Sequence, residues 1–379
     1  MGRPMPPVPP TVLQVLPALG SGGVERGTVE IARALVEAGG KALVASAGGP
    51  LVAELEEAGA RHILLPLDRK NPAALLANAL ALRGIVRRDG VRVVHARSRF
   101  PAWSALMAAR ATGAAFVTTY HGSYNEGFPG KRLYNSVMAR GDRVIAISGH
   151  IAELVRARHG VGPDRLRVIP RGVDPDAFDP EAVDPARAEA LRRAWGLPPG
   201  RPVILLPGRL TRWKGQAVLL RAASHLPEPR PVLVLAGDAQ GRDAFRAELE
   251  ALAIGAGATV RFPGPVADMP AALLLADVVV HASTDAEAFG RTIVEAQAMR
   301  RPVIASDLGA PRETVEEGVT GWRVPPGDPP ALAAAIGRAL SMPDEARRAI
   351  GEAARAAVLA RYTTRAMQAA TLAVYGEVA

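Results

Sequence analysis

Short apolar runs alternate with amphipathic stretches along almost the whole chain. Residues 11–16, 41–45, 62–66, 91–96, 115–120 and 143–147 are runs of strand length, rich in Val, Ile and Leu and bounded by turn residues, as buried parallel strands are. Between them, a stretch ending near Gly39 and residues 51–58, 72–88, 102–112, 130–139 and 149–159 repeat apolar positions at helical spacing. A strand at 166–170 completes one doubly wound unit. From Arg171 to Gly200 the chain is rich in Asp and Pro and offers few residues to a core, which predicts a linker. A second alternation follows, with strands at 202–206, 231–236, 259–262, 278–282 and 302–305 and helices at 214–226, 241–254, 269–276 and 291–299. Helices opening at Pro329, Pro343 and Thr363 close the chain. The pattern predicts an α/β protein of two Rossmann-like, doubly wound domains: residues 1–175, a linker at 176–200, residues 201–357, and a C-terminal helix at 358–379 packing back on the first domain. Ligands of open α/β sheets collect at the carboxyl ends of the strands, so two such sheets facing across a cleft would carry one substrate on each wall.

Composition narrows the class. A chain of 379 residues with 49% hydrophobic and 22% charged residues can bury two cores. The absence of cysteine excludes disulfides, thiolate metal sites and cysteine nucleophiles, and leans toward a reducing cytoplasm. No apolar run reaches the roughly 18 residues of a membrane span, and the proline-rich start from Met1 to Pro7 reads as a loose tail, not a signal peptide. The expected location is cytoplasmic. Formal charge is +9, carried almost entirely by arginine; Lys41, Lys70, Lys131 and Lys214 are the only lysines. Such an excess suits a phosphorylated substrate or an anionic inner membrane surface. Nucleic acid is not expected as a partner, because aromatics make up only 4% and no basic helix stands out.

The candidate chemistry lies in loops at strand ends. Glu287-Ala288-Phe289-Gly290-Arg291-Thr292-Ile293-Val294-Glu295 reads as a loop opening a helix. At about 100° per residue, helical positions eight apart point roughly 80° apart, so the two glutamates would not share a face of one helix. Gly290 lets the loop aim Glu287 independently, while the free N–H groups of Gly290, Arg291 and Thr292 suit a phosphate. Carboxylates for sugar hydroxyls and a helix start for a diphosphate together match a nucleotide-sugar; the alternative is a surface helix with two solvated glutamates. Arg209 and Lys214, in the loop at 208–215, could neutralise a diphosphate or could be solvated cations. Gly237-Asp238-Ala239-Gln240-Gly241 is a donor-contact candidate or an ordinary capped turn, and Phe262-Pro263-Gly264-Pro265-Val266 could flank a planar base. In the first half, Gly20-Ser21-Gly22-Gly23 is a glycine loop, His121 follows a strand, and His95, Arg97 and Arg99 could help bind a polar or anionic acceptor.

Taken together these stretches resemble family-four retaining glycosyltransferases of the GT-B fold. The likeness rests on Glu287 to Glu295, residues 208–215 and 264–269, and Arg301-Pro302-Val303-Ile304-Ala305-Ser306-Asp307 with Glu313-Thr314-Val315. It extends more diffusely to Gly22-Gly23-Val24-Glu25, Thr119-Tyr120-His121-Gly122 and Ile169-Pro170-Arg171-Gly172-Val173-Asp174. The resemblance implies that Glu287 holds donor-sugar hydroxyls and Glu295 the ribose. It also implies that Phe289, Gly290, Arg291 and Thr292 meet the donor, that Arg209 and Lys214 bind the diphosphate, and that His121 faces the sugar near Gly22 and Gly23. Asp238 and Val266 complete the expected donor set. Arg171 stands where the family carries a small polar residue, a departure expected to alter linker contacts but not chemistry. The implied reaction is metal-independent hexosyl transfer with retention and with no cofactor beyond the donor, a UDP-sugar first and a GDP- or ADP-sugar next. The implied acceptor is a glycan or lipid-linked saccharide of bacterial envelope or lipopolysaccharide synthesis, with loose contact to the inner membrane. A GT-B sugar-nucleotide epimerase and a non-catalytic sugar-nucleotide-binding scaffold are the alternatives.

Overall fold

The computed structural model describes residues 9–379 apart from Ser21 and Pro227; the proline-rich start and the Ser21 position of the glycine loop lie outside the described residues. The chain divides into two compact units, Met1–Arg171 with Thr364–Ala379, and Gly172–Thr363.

The first unit holds a seven-stranded sheet of β1 (Val12–Val15), β2 (Ala42–Ser46), β3 (Arg61–Leu64), β4 (Val93–Ala96), β5 (Ala115–Tyr120), β6 (Arg143–Ala146) and β7 (Leu166–Val168). The second holds a six-stranded sheet of β8 (Val203–Pro207), β9 (Val232–Ala236), β10 (Val260–Gly264), β11 (Val278–His281), β12 (Val303–Ser306) and β13 (Trp322–Val324). The spatial orders are β3-β2-β1-β4-β5-β6-β7 and β10-β9-β8-β11-β12-β13, with parallel pairing throughout. Each sheet therefore reverses direction beside its first strand, between β1 and β4 and between β8 and β11. Helices cover both faces, so β1, β4, β8 and β11 are buried along their whole length. That double burial is why they read as unbroken apolar runs.

The stretch expected to be a linker is instead part of the second unit. Asp184 caps a helix over Pro185–Ala194 by accepting from the Ala186 N–H at 2.8 Å, with Pro185 at the first turn. Val183, Ala188 and Leu197 are buried in the same cluster as Val203 and Val279, with Leu191 and Trp195 packed against it. Too few apolar residues to form a core still suffice to coat an existing one along a single helical stripe. Two short elements escape the periodicity, β13 and the helix Pro311–Thr314, because three or four residues do not establish a period.

The final helix, Thr364–Gly376, belongs to the first unit and buries Met367, Thr371, Val374 and Tyr375 there. Glu377, just beyond it, pairs with Arg143 and Arg167, each at 2.7 Å. Among the described residues no helix is long and apolar enough to cross a membrane.

Candidate active site

In the second unit the chemistry gathers where β8 and β11 end. Gly215 has φ +76°, and a Cβ there would fall 1.8 Å from the Ala282 carbonyl oxygen, so only glycine lets the 208–215 loop lie against the end of β11. The Thr284 N–H donates to the Trp213 carbonyl at 2.8 Å and fixes the two loops together. This approach brings Lys214 to Glu287, 73 residues later in the chain, with Nζ 2.5 Å from Oε2. His281 Nε2 donates to the same oxygen at 3.2 Å. The loop after β12 clamps Glu287 from behind: the Ala310 N–H donates to the Glu287 carbonyl at 3.0 Å. A Cβ on Gly309 would come within 2.6 Å of that carbonyl oxygen.

The Glu287 side chain is 14% exposed. Burial alone would raise its pKa, but the hydrogen bond from His281 and the charge of Lys214 outweigh it and hold the carboxyl at about 2. The group is a carboxylate at neutral pH. Both protein contacts fall on Oε2, and Oε1 has none among the described residues.

The two expected phosphate-binding cations are thus unlike. Lys214 is committed to Glu287 and lies 4.3 Å from the Trp213 ring centroid. Arg209 is exposed, and among the described residues it makes no ion pair. Gly290 has φ +84° and caps the helix Arg291–Ala298, so the chain does turn between the two glutamates as its glycine requires. Glu295 sits 3.4 Å from Arg291 on that helix. Phe289 turns its ring into the unit, edge-on to Tyr362 with ring centroids 5.7 Å apart, leaving its backbone at the loop beside Gly290, Arg291 and Thr292. Asp238 is exposed and closes its own turn, accepting from the Gln240 N–H at 2.8 Å. Val266 is half-buried and packs against the core. Leu210, Gly237, Gln240, Arg246, Phe262 and Pro265 line a cavity of about 230 Å³ at the ends of β8, β9 and β10.

The first unit is organised differently. His121 follows β5, and its Nδ1 lies 2.9 Å from Nη2 of Arg171. Arg171 is 6% exposed. Its expected role as a linker contact is corrected: it reaches the candidate histidine itself. Burial, then the charges of Arg171 and Arg97, hold the His121 pKa well below the ordinary value. Arg97 is buried and donates to Gln14 Oε1 at 3.1 Å, while Gln14 Nε2 donates to the Thr28 carbonyl at 3.0 Å. His95 is not placed to meet an acceptor. It is fully buried, with Nδ1 2.6 Å from the Tyr375 hydroxyl and Nε2 2.7 Å from the Thr119 hydroxyl. Arg99 donates to Asn135 Oδ1 at 2.9 Å and stacks 4.3 Å from the Tyr124 ring centroid, holding the loop after His121. Gly22 and Gly23 are exposed at the start of the helix Gly23–Glu37.

Three residues were not singled out from the sequence: His281, Gly27 and, for its true contact, Arg171. Gly27 carried a readable signal. It lies inside a helix, where glycine costs about 1 kcal/mol relative to alanine and so calls for a packing reason.

Comparison with known proteins bears on this arrangement. The model described as glycosyl transferases group 1 matches residues 187–357, and that described as glycosyltransferase family 4 matches residues 21–177. D-inositol 3-phosphate glycosyltransferase 1 of Catenulispora acidiphila is 30% identical over 347 residues, covering 83% of this chain and 82% of that protein. The chain belongs to glycosyltransferase family 4. Its two Rossmann-like sheets are those of the GT-B fold. A crystal structure of a glycosyltransferase from Rickettsia africae aligns with this family-4 chain at 37% identity and a TM-score of 0.91, over 98% of each chain. The Anabaena protein HepE, in complex with UDP-glucose, aligns at 25% identity and a TM-score of 0.84, over 97% of this chain and 99% of that one. A D-inositol 3-phosphate glycosyltransferase of Xylanimonas cellulosilytica is 36% identical over 64% of this chain and 58% of its own length. The chain spans about half the length of most such curated relatives.

Proposed function

We propose that this family-4 glycosyltransferase moves a sugar from a nucleoside-diphosphate sugar to a hydroxyl acceptor, retaining the anomeric configuration and using no metal. The observation that carries the reading is the Glu287 cluster: a half-buried carboxylate fixed by Lys214 and His281 on one oxygen, with Oε1 left to accept from sugar hydroxyls. Arg209 and the N–H groups at the start of the helix Arg291–Ala298 then suit the diphosphate, whose departure they stabilise electrostatically. In this mechanism the bond from the anomeric carbon to the phosphate oxygen breaks with its electron pair going to phosphate. The acceptor oxygen bonds to the same face of the anomeric carbon, and its proton passes to the departing phosphate. A glycosyl adduct trapped on any side chain would overturn this.

UDP is the first nucleotide to test, supported by the UDP-glucose complex of HepE, with GDP and ADP as controls. For the acceptor, the names of the inositol-phosphate relatives favour a phosphorylated polyol. An envelope glycan such as a lipopolysaccharide core, on an enzyme held loosely at the inner membrane, is the other acceptor to offer. Thermal-shift screening of the three nucleoside diphosphates comes first, then of their sugars. Matched sugar donors are then incubated with and without acceptors, in buffer containing a chelator. Transfer that survives chelation is expected. A new sugar isomer formed without any acceptor would favour epimerisation, and no stabilisation by any nucleotide would remove the donor site.

A further inference from the structure

We infer that Arg171 is a positioning residue that locks His121 in its Nε2–H tautomer, so that the ring offers substrate a hydrogen-bond donor and never a base. The reference to substrate rests on the reading above; the lock itself does not. A guanidinium carries donors and no acceptor. With Arg171 Nη2 at 2.9 Å, His121 Nδ1 must therefore be the accepting nitrogen, and the single ring proton sits on Nε2. The small polar residue expected at this position could not do this, because a hydroxyl donates or accepts and so tolerates either tautomer.

Two further observations point the same way. Gly27 is the seat of the guanidinium: a Cβ there would lie 2.1 Å from Arg171 Nη1 and 3.1 Å from Arg97 Nη2. The interior helix glycine, unfavourable by propensity, is thereby accounted for. In addition, His121 Nε2 is buried and has no partner among the described residues. Leaving such a donor unsatisfied is costly, and a polar atom held in that condition beside a fixed partner is suited to an oxygen that arrives with substrate. The groups facing the ring are Arg171 from the segment after β7, Arg97 and His95 from the end of β4, and Tyr124, whose hydroxyl lies 3.4 Å from the His121 backbone nitrogen. The carboxylates Glu25 and Glu30 on the helix Gly23–Glu37 face Arg97. A second proton on the ring would add a third cation beside two guanidiniums. The acceptor's proton therefore does not go to His121, in keeping with its passage to the leaving phosphate.

The test is spectroscopic and needs no turnover. Long-range proton–nitrogen correlation spectra of the histidine rings are recorded on the full-length, nitrogen-15-labelled chain between about pH 5.5 and 8, spanning the ordinary histidine range. His121→Gln identifies the signal among the seven histidines. Wild type is expected to show the Nε2–H pattern unchanged across the range. Arg171→Ser should give mixed tautomers and move the ring's titration upward from its wild-type position, with burial and Arg97 still holding it below the ordinary value, and Arg171→Lys, which can only donate, should restore the single tautomer. If Arg171→Ser fails to fold, Gly27→Ala displaces the guanidinium without removing it and should release the tautomer likewise. An Nδ1–H wild type, or an Arg171→Ser or Gly27→Ala ring that stays locked, overturns the inference. Where donor turnover is measurable, its acid side should be flat in wild type and acquire a limb in Arg171→Ser. Failure to find any donor would leave the spectroscopic result standing.

Discussion

The same four residues end the fourth strand of each sheet, with opposite outcomes. Val93-Val94-His95-Ala96 closes β4 beside β1, and Val279-Val280-His281-Ala282 runs from β11, beside β8, to the first residue past its end. Both histidines are buried. His95 meets two hydroxyls, those of Tyr375 and Thr119, and burial followed by the charges of Arg97 and Arg171 keeps its pKa well below the ordinary value. His281 meets a carboxylate instead, because the loop after β11 doubles back and delivers Glu287. In the first unit, the C-terminal helix supplies the partner and makes His95 a bolt. In the second, a glycine-bearing loop supplies it and makes His281 the support of a charged site. Strand register decides that each ring is buried; whatever packs over the strand end decides its chemistry.

The comparison can be broken most severely at Glu287. Glu287→Ala strips His281 and Lys214 of their shared carboxylate and should lower sugar transfer by about two to three orders of magnitude, with the fold retained by circular dichroism. Activity within tenfold of wild type would remove this cluster from the centre of the site. His95→Ala should do the reverse. Loss of a fully buried ring and two hydrogen bonds should cost about 3 kcal/mol of stability in chemical denaturation, while donor affinity stays within about twofold. A large affinity loss at unchanged stability would make the two histidines alike after all. Tyr375→Phe, which deletes only one hydrogen-bond partner of His95, should cost about 1–2 kcal/mol.

The smallest expected effect is on pH. Glu287 has a folded pKa of about 2, below the unfolded value of 4.5. Its contribution to stability is complete above pH 4.5 and is lost as pH falls through 2. Donor affinity should consequently show no carboxylate inflection between about pH 5 and 8, and a midpoint near 5 in a binding titration would mean that Lys214 and His281 do not hold it.

Much of this protein was legible before folding. Strands and helices follow from apolar periods that operate over a few residues, and the strand-end loops bearing Arg209, Lys214, Asp238 and Glu287 followed from them. The errors came where a segment borrows its core, as Pro185–Ala194 does, or is too short to show a period, as β13 is. The surroundings of His95 and Arg171 were not legible either, since nothing near His95 in sequence announces Tyr375, 280 residues later.

By itself the sequence determined two parallel α/β sheets, the turn at Gly290 and the residue types waiting at the strand ends. Backbone preference and one-sided burial act locally, so a local pattern can record them. Only the tertiary structure decided which charges meet. Parallel strands bring all their carboxyl ends to one edge of a sheet, and glycines at 27, 215 and 309 allow approaches that a Cβ would block. Lys214 therefore binds Glu287 and Arg171 binds His121 through contacts that no spacing in the chain encodes.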